Sequence, residues 1–262
     1  MARNNFENTA LAGITLSGEV VIDAHMHIDM YNKFFIPAAA TEHLIANARR
    51  IGIQKLYGSS LLAIRNDAQT GNANVMRTHH KYPEIFEPYL VIKPNYPEEI
   101  TSIIEFSITN SINQFKLHDD GNDYLYDHKN YFPLYEHCNN HNSIILFHTY
   151  GNLHLRPITN IAKQFKSIKI LLAHSGIIDE QSYIDIANSY ENVFLETCNS
   201  WAWYGLIERL VNAVGSYKIL FGTDMPFMSP DQQIGRILFA KISDNDKRNI
   251  LGINAQTLFN LK

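Results

Sequence analysis

The sequence predicts a single α/β domain, built as an eight-stranded parallel (β/α)₈ (TIM) barrel. Three observations support this: eight short apolar runs, helix-like stretches in most of the intervals, and run starts spaced about 24 to 33 residues apart. A βαβ unit needs about 30 residues, so eight units fit a chain of 262 residues. We treat residues 1–262 as one domain, in which residues 1–19 form a lead-in segment.

Each predicted strand is brief, rich in β-branched or aromatic residues, and bounded by polar or turn residues. The strands are predicted at 20–25, 53–60, 86–93, 112–118, 143–150, 168–176, 193–199 and 217–224. Apolar residues recur three and four apart at 42–52, 158–167, 182–192 and 205–216, which predicts helices, and further helices follow Asp224. A doubly wound open sheet is the alternative, but no glycine-rich nucleotide-binding loop follows the first strand.

Composition limits the class of protein. The formal net charge of −4 gives no electrostatic reason to bind nucleic acid or an anionic membrane surface. Two cysteines, Cys138 and Cys198, do not suggest a disulfide framework, and we expect both to be packing residues. The first residues lack an apolar signal-peptide core, so we expect a cytoplasmic protein that binds a small-molecule substrate. The outer helices of a barrel could also support a homodimer.

The first predicted strand ends in a histidine pair, His25 and His27. Side chains on a strand alternate between faces, so residues two apart point the same way and could bind one metal ion together. Alone, such a short pattern is better explained by two surface histidines. Other strands, however, end in the same manner, at His148, His174 and Asp224. Because parallel strands of a barrel end on one face, we expect these five side chains to converge there.

Three histidines and an aspartate form a nitrogen and oxygen set that suits Zn²⁺, Mn²⁺ or Fe²⁺. We predict His25, His27, His148 and Asp224 as ligands, with zinc the first choice. An open zinc site lowers the pKa of bound water to about 7 and so provides a nucleophile. Asp224 could then accept the water proton and pass it to the leaving group, while His174 either binds the metal or polarises a substrate carbonyl.

These five positions, with the phrases VIDAHMH, LLAHSG and FGTDMPF, resemble the amidohydrolase superfamily. The phrases are similar to the branch of amidohydrolase-related hydrolases and nonoxidative decarboxylases, from about residue 20 to the end of the chain. The resemblance implies a distorted barrel, one or two divalent metals, and hydrolysis of an amide or ester. It also implies carbon–carbon cleavage as an alternative, because some relatives decarboxylate aromatic or enol acids.

Lys116, at the end of the fourth predicted strand, bears on the number of metal ions. In two-metal members of the superfamily, a lysine there is carboxylated and bridges the metals. Alternatively, Lys116 binds a substrate carboxylate or pairs with Asp119 or Asp120. Since many single-metal relatives lack a bridging lysine, we expect one ion. His118, two residues further along, either lines the pocket or contacts backbone.

Four further expectations concern residues outside these positions. Arg65 is a candidate for holding a substrate carboxylate, although a solvated arginine is the simpler interpretation. At the seventh strand, either Glu196 with Cys198 or Thr197 with Asn199 faces the substrate. Aromatic residues on the βα-loops form either a substrate wall or ordinary packing; they are Tyr150, Trp201, Trp203, Tyr204 and Phe227. Six further histidines are expected to be solvated or capping residues; they are His79, His80, His128, His137, His141 and His154.

The function predicted first is hydrolysis of a small amide, ester or lactone by a metal-activated water. A nonoxidative decarboxylase or hydratase is the alternative, with Arg65 or Lys116 orienting the substrate carboxylate. A structural or sensory metal site ranks lower, because structural zinc sites are closed and usually rich in cysteine. The sequence does not indicate the substrate.

Overall fold

The computed structural model describes residues 5–13, 15–16, 18–120, 124–201 and 203–261. It has the parallel α/β architecture of a TIM barrel. The strands are β1 (Ile22–Ile28), β2 (Lys55–Ser60), β3 (Phe86–Pro88), β4 (Leu90–Val91), β5 (Gln114–Leu117), β6 (Ile144–Phe147), β7 (Lys169–Leu172), β8 (Val193–Glu196) and β9 (Ile219–Leu220). The helices are α1 (Asn5–Leu11), α2 (Thr41–Ile51), α3 (Leu61–Arg65), α4 (Ala68–Lys81), α5 (Pro97–Thr109), α6 (Phe132–His141), α7 (Asn152–Gln164), α8 (Glu180–Ser189), α9 (Leu206–Val214), α10 (Pro230–Leu238), α11 (Asp244–Arg248) and α12 (Asn254–Leu258).

The strands pair in chain order, β1-β2-β3 and β4 to β9, and every pair is parallel. β3 and β4 are two parts of the third barrel strand, and the backbone N–H of Tyr89 between them still bonds to Gly58 of β2 at 2.8 Å. At the other end, the segment after β9 bonds to β1. Ala24 N donates to Phe221 O at 3.0 Å, Asp224 N donates to His25 O at 2.7 Å, and Met26 pairs with Met225 in a parallel bridge. These bonds close the barrel.

Alternate residues of the strands belong to two apolar clusters. The larger cluster lies between strands and outer helices and includes Phe115, Phe147 and Leu195. The smaller one fills the barrel and includes Leu146 and Leu171, with Phe259 beyond α12 packed into it. Phe259 stacks on Tyr57 with ring centroids 3.6 Å apart. Apolar side chains thus fill the middle of the barrel interior. Polar side chains occupy the positions nearer the C-terminal end of each strand.

A β-bulge in β1 decides which way its histidines point. The register of β1 against β2 shifts between Asp23 and Met26. Before the shift, Ala24 belongs to the interior cluster; after it, Met26 and Ile28 belong to the outer cluster. An extra residue in a strand reverses the alternation of faces. His25 and His27, which alternate with Met26 and Ile28, therefore lie on the inner face.

The predicted strands and helices are present, with differences at their ends. The later strands are shorter than predicted because residues such as 148–150 and 173–176 leave the sheet and form βα-loops. The first strand instead continues past its predicted end at residue 25 to Ile28. The eighth strand begins at Ile219, since Ser216–Lys218 form a 3-10 helix. Helix α7 begins at Asn152, six residues before the predicted start, and holds Pro157 among its buried residues. In the part of the chain that the structure describes, no helix has the length and apolar character needed to cross a membrane.

Candidate metal centre

Four histidines and an aspartate lie together at the C-terminal ends of the strands, as the sequence predicted. The His25 and His27 rings have centroids 5.1 Å apart, His25 lies 5.2 Å from His174, and His174 lies 5.1 Å from His148. Oδ1 of Asp224 lies 3.1 Å from Nε2 of His27 and 3.7 Å from Nε2 of His25. His25 and Asp224, 199 positions apart in the chain, therefore share one small volume.

Two of these residues have unusual backbone conformations. His174 has a φ of 59° and Asp224 a φ of 56°, both in the left-handed region that favours glycine. Such strain at a non-glycine residue is found most often at functional sites. It turns both side chains away from the direction that a continuing strand would give them.

The Nδ1 atom of each histidine has a partner within the protein. Nδ1 of His174 lies 3.1 Å from the carbonyl oxygen of Cys198, and Nδ1 of His148 lies 2.6 Å from Oδ1 of Asp119. A carbonyl or carboxylate can only accept, so both Nδ1 atoms carry the proton and both Nε2 atoms present a lone pair. Nδ1 of His27 lies 2.9 Å from the Ser59 hydroxyl, which can donate or accept.

His25 is held from both sides. Its Nδ1 lies 3.0 Å from Oε2 of Glu196, and its Nε2 lies 3.1 Å from Nζ of Lys116. Burial raises the pKa of Glu196 to about 8, while hydrogen bonds from the Cys198 thiol and backbone N–H oppose the rise. A cation at Nε2 of His25 would lower that pKa, since it favours the proton on Nδ1 and the negative charge on Glu196. Glu196 and Cys198 therefore face the site. The sequence had left open whether this pair or Thr197 with Asn199 does so.

Burial also controls the charge of the other groups. It lowers the pKa of His174 to about 3, and it lowers the pKa values of His25, His27 and His148. These imidazoles are consequently neutral near pH 7, which is the form that binds metal. Burial also lowers the pKa of Lys116 to about 8. Lys116 contacts His25 rather than forming an ion pair with either aspartate of the following loop.

Asp119 lies at the centre of a second group of histidines. Besides His148, it has Nε2 of His154 at 3.2 Å from Oδ2 and Nδ1 of His118 at 3.3 Å from Oδ1. The expectation that His154 is solvated or capping is corrected here: its side chain is buried, since α7 packs it beneath the loop after β6. His118 lines the barrel mouth and contacts backbone, since its Nδ1 accepts the N–H of Asp120 at 2.9 Å.

Arg65 is partly buried and forms an ion pair with Asp120, which also lies 3.5 Å from Nζ of Lys33. The guanidinium is therefore neither fully solvated nor open to a substrate carboxylate. A cavity of about 480 Å³ opens at the barrel mouth beside it. It is lined by Tyr31, Leu61, Ile64, His118, Asp119, Asp120, His148 and Phe227.

Aromatic side chains border the site on two sides. The Phe227 ring lies 5.8 Å from His27 and 4.9 Å from Tyr31, and the Tyr150 ring lies 5.7 Å from His174. Trp201, Trp203 and Tyr204 are instead exposed. The loops after β6 and β9 thus contribute aromatic walls.

The donor set fits a divalent metal. One ligand atom from each of His25, His27 and Asp224 lies within 4.8 Å of the others. Ligands on one ion, each about 2.1 Å from it, are separated by roughly 3 to 4 Å. The side chain of His25 also groups with His174, Glu196 and Cys198, but its Nδ1 and the Glu196 carboxylate are already hydrogen-bonded to each other. The Nε2 side of His25 therefore suits an ion better.

Sequence reasoning missed two contributors, Asp119 and His154. Asp119 was considered only as a partner for Lys116. One signal was available: Asp119 directly follows the fourth strand, at the same end of the barrel as the other polar residues. For His154 no signal was available, because its contact depends on how α7 packs.

Comparison with known proteins gives the following results. The family model described as "Amidohydrolase" matches residues 22–261. A search of curated proteins found no match. An uncharacterised TIM-barrel protein from Bordetella bronchiseptica is 18% identical, with a TM-score of 0.77 over 92% of this chain and 98% of that one.

Two decarboxylases also have similar structures. A dihydroxybenzoic acid decarboxylase from a Polaromonas species, with bound manganese and 2-nitroresorcinol, is 16% identical, with a TM-score of 0.75 over 93% of this chain and 97% of that one. The 2,6-dihydroxybenzoate decarboxylase from Rhizobium is 14% identical, with a TM-score of 0.73 over 93% and 99%. At these identities, the likeness establishes the shared fold.

Proposed function

Because this chain belongs to the amidohydrolase family, we propose that it is a metal-dependent hydrolase acting on a small amide, ester or lactone. One observation carries the proposal: the Asp224 carboxylate lies 3.1 Å from Nε2 of His27 and 3.7 Å from Nε2 of His25. A proton acceptor thus lies directly beside two nitrogen ligands. Hydrolysis requires such a base within reach of the attacking water.

In this proposal His25, His27, His148 and Asp224 hold one divalent ion, zinc in preference to manganese or iron. The ion would supply Lewis acidity, which lowers the pKa of water toward about 7 and polarises a carbonyl. Asp224 accepts the water proton and returns it to the leaving group. Burial opposes its ionisation, but the His27 hydrogen bond and the nearby Lys116 charge lower its pKa overall.

His174 takes the role of ligand or acceptor. Its Nδ1 proton is held by the Cys198 carbonyl, and burial lowers its pKa to about 3. A neutral ring with a lone pair on Nε2 cannot donate a hydrogen bond to a substrate carbonyl. The alternative of carbonyl polarisation by His174 is therefore disfavoured.

Replacing His25 and His27 together by alanine tests the proposal. We expect loss of metal binding, measured by elemental analysis, and loss of turnover on a panel of activated esters and lactones. The matched control replaces His79 and His80, an adjacent pair on α4 that lies outside the site. Full activity in the His25/His27 variant, or in enzyme treated with chelator, would refute the proposal.

A decarboxylase is the second candidate, supported by the fold shared with the two decarboxylases. The charge arrangement supports it less: Arg65 is paired with Asp120, and Lys116 contacts His25. Release of CO₂ from hydroxybenzoic acids, measured beside the ester panel, distinguishes the two. Metal-dependent CO₂ release without ester or lactone hydrolysis would favour the decarboxylase.

A further inference from the structure

Asp119 and His154 do not belong to the proposed ligand set, yet they contact one of its members. Asp119 follows β5, His148 follows β6, and His154 lies in the first turn of α7. Oδ1 of Asp119 lies 2.6 Å from Nδ1 of His148, and its Oδ2 lies 3.2 Å from Nε2 of His154. The carboxylate therefore bridges the two rings with a different oxygen on each.

The backbone determines the tautomer at one end of this chain of contacts. The N–H of Tyr150 donates to Nδ1 of His154 at 2.8 Å. A neutral imidazole with an accepting Nδ1 carries its proton on Nε2, so His154 donates to Asp119. The Asp119 side chain is partly exposed, and an aspartate is ionised at neutral pH. An ionised carboxylate can only accept, so Nδ1 of His148 must be the donor.

We propose that Asp119 and His154 are positioning residues, which together lock His148 in the tautomer whose Nε2 presents a lone pair to a divalent metal. The proposal rests on the proposed function in treating His148 as a ligand. A carboxylate hydrogen-bonded to a metal-binding histidine fixes the ring and raises its basicity, and its loss typically costs about 10–100-fold in metal affinity. Here the His154 contact adds a second restraint, which fixes the orientation of the carboxylate itself.

The first test is made on metal-free protein by long-range ¹H–¹⁵N NMR of the histidine side chains. We expect the Nδ1–H tautomer at His148 and the Nε2–H tautomer at His154. In Asp119→Asn, His148 should shift toward the Nε2–H tautomer. A wild-type spectrum with the Nε2–H form at His148 would overturn the proposal. This measurement on the wild type does not depend on whether any variant folds.

The second test is the dissociation constant for Zn²⁺, measured by competition with a chromophoric chelator. We expect an increase of about 10–100-fold in Asp119→Asn. Asp120→Asn is the matched control: it removes the same charge one residue away, from a carboxylate that pairs with Arg65 and Lys33. An equal loss of affinity in both variants would overturn the proposal, because it would indicate a general charge effect.

A third test compares two substitutions of His154, one of which keeps a hydrogen-bond donor. We expect His154→Leu to weaken Zn²⁺ binding and His154→Gln to restore most of it, because the Gln amide can still donate to Asp119. Equal affinity in the two variants would count against the role of His154. The variant His148→Ala separates this inference from the proposed function. If it keeps full metal binding and turnover, the proposed ligand set fails; if it loses both while Asp119→Asn keeps wild-type affinity, only the positioning role fails.

Discussion

Nδ1 of His25 lies 3.0 Å from Oε2 of Glu196, although the two residues are 171 positions apart in the chain. The contact joins the first strand of the barrel to the seventh across its interior. It requires space, and Gly222 provides it on the eighth strand. A Cβ at Gly222 would overlap Oε1 of Glu196 and would lie 3.0 Å from Cβ of His25. Only glycine leaves this contact undisturbed.

Gly222→Ala should therefore raise the dissociation constant for Zn²⁺ by roughly tenfold or more, because the methyl group displaces the carboxylate that orients His25. The control is Gly235→Ala, since a Cβ at that position meets no atom within 4 Å. Chelator competition measures both variants. Wild-type affinity in Gly222→Ala would mean that the Glu196 contact does not support metal binding.

Asp23→Ala should lower the free energy of unfolding by about 1–3 kcal/mol, because it leaves the buried backbone N–H of His25 without its acceptor, whereas the N–H of Thr223 keeps the His25 carbonyl at 3.2 Å. Oδ1 of Asp23 accepts the N–H of His25 and of Thr223, both at 3.0 Å, across the seam that closes the barrel. Asp23→Asn keeps an oxygen there, so its loss should be much smaller. Urea unfolding measures both, and equal losses would contradict this account.

The metal-free protein should lose stability as the pH falls below 6.5, in part because of His174. Its folded pKa is about 3, lowered by burial, while an unfolded histidine takes up a proton near 6.5. Between these values the unfolded state binds more protons, so each pH unit costs up to about 1.4 kcal/mol. His174→Asn removes this contribution. Between pH 6 and 4, the free energy of unfolding should fall more steeply with decreasing pH in the wild type than in His174→Asn. Parallel curves for the two proteins would exclude a contribution from His174.

Wild-type protein should bind one metal ion per chain, and Lys116→Met should bind one ion at least as tightly. Nζ of Lys116 lies 3.1 Å from Nε2 of His25, where an ammonium group repels a cation. Elemental analysis with a binding titration checks both statements. Two ions in the wild type, with at least one lost in Lys116→Met, would instead indicate a carboxylated lysine that bridges the metals.

The sequence alone predicted the barrel and most residues of the candidate metal centre. Short apolar runs at regular spacing require parallel βα units, and a polar residue that ends such a run must lie on the C-terminal face. His25, His27, His148, His174 and Asp224 follow from that rule. The rule needs only local patterns, since the barrel itself brings strand ends together.

The tertiary structure decided what local alternation could not. Ala24 faces the interior, so simple alternation would place His25 and His27 outside; the bulge in β1 reverses this, and it depends on pairing with β2. The position of His154 against Asp119 likewise depends on how α7 packs on the barrel. The local sequence around each residue does not predict such contacts. The distance between the two residues depends on how the secondary-structure elements pack, not on local pattern.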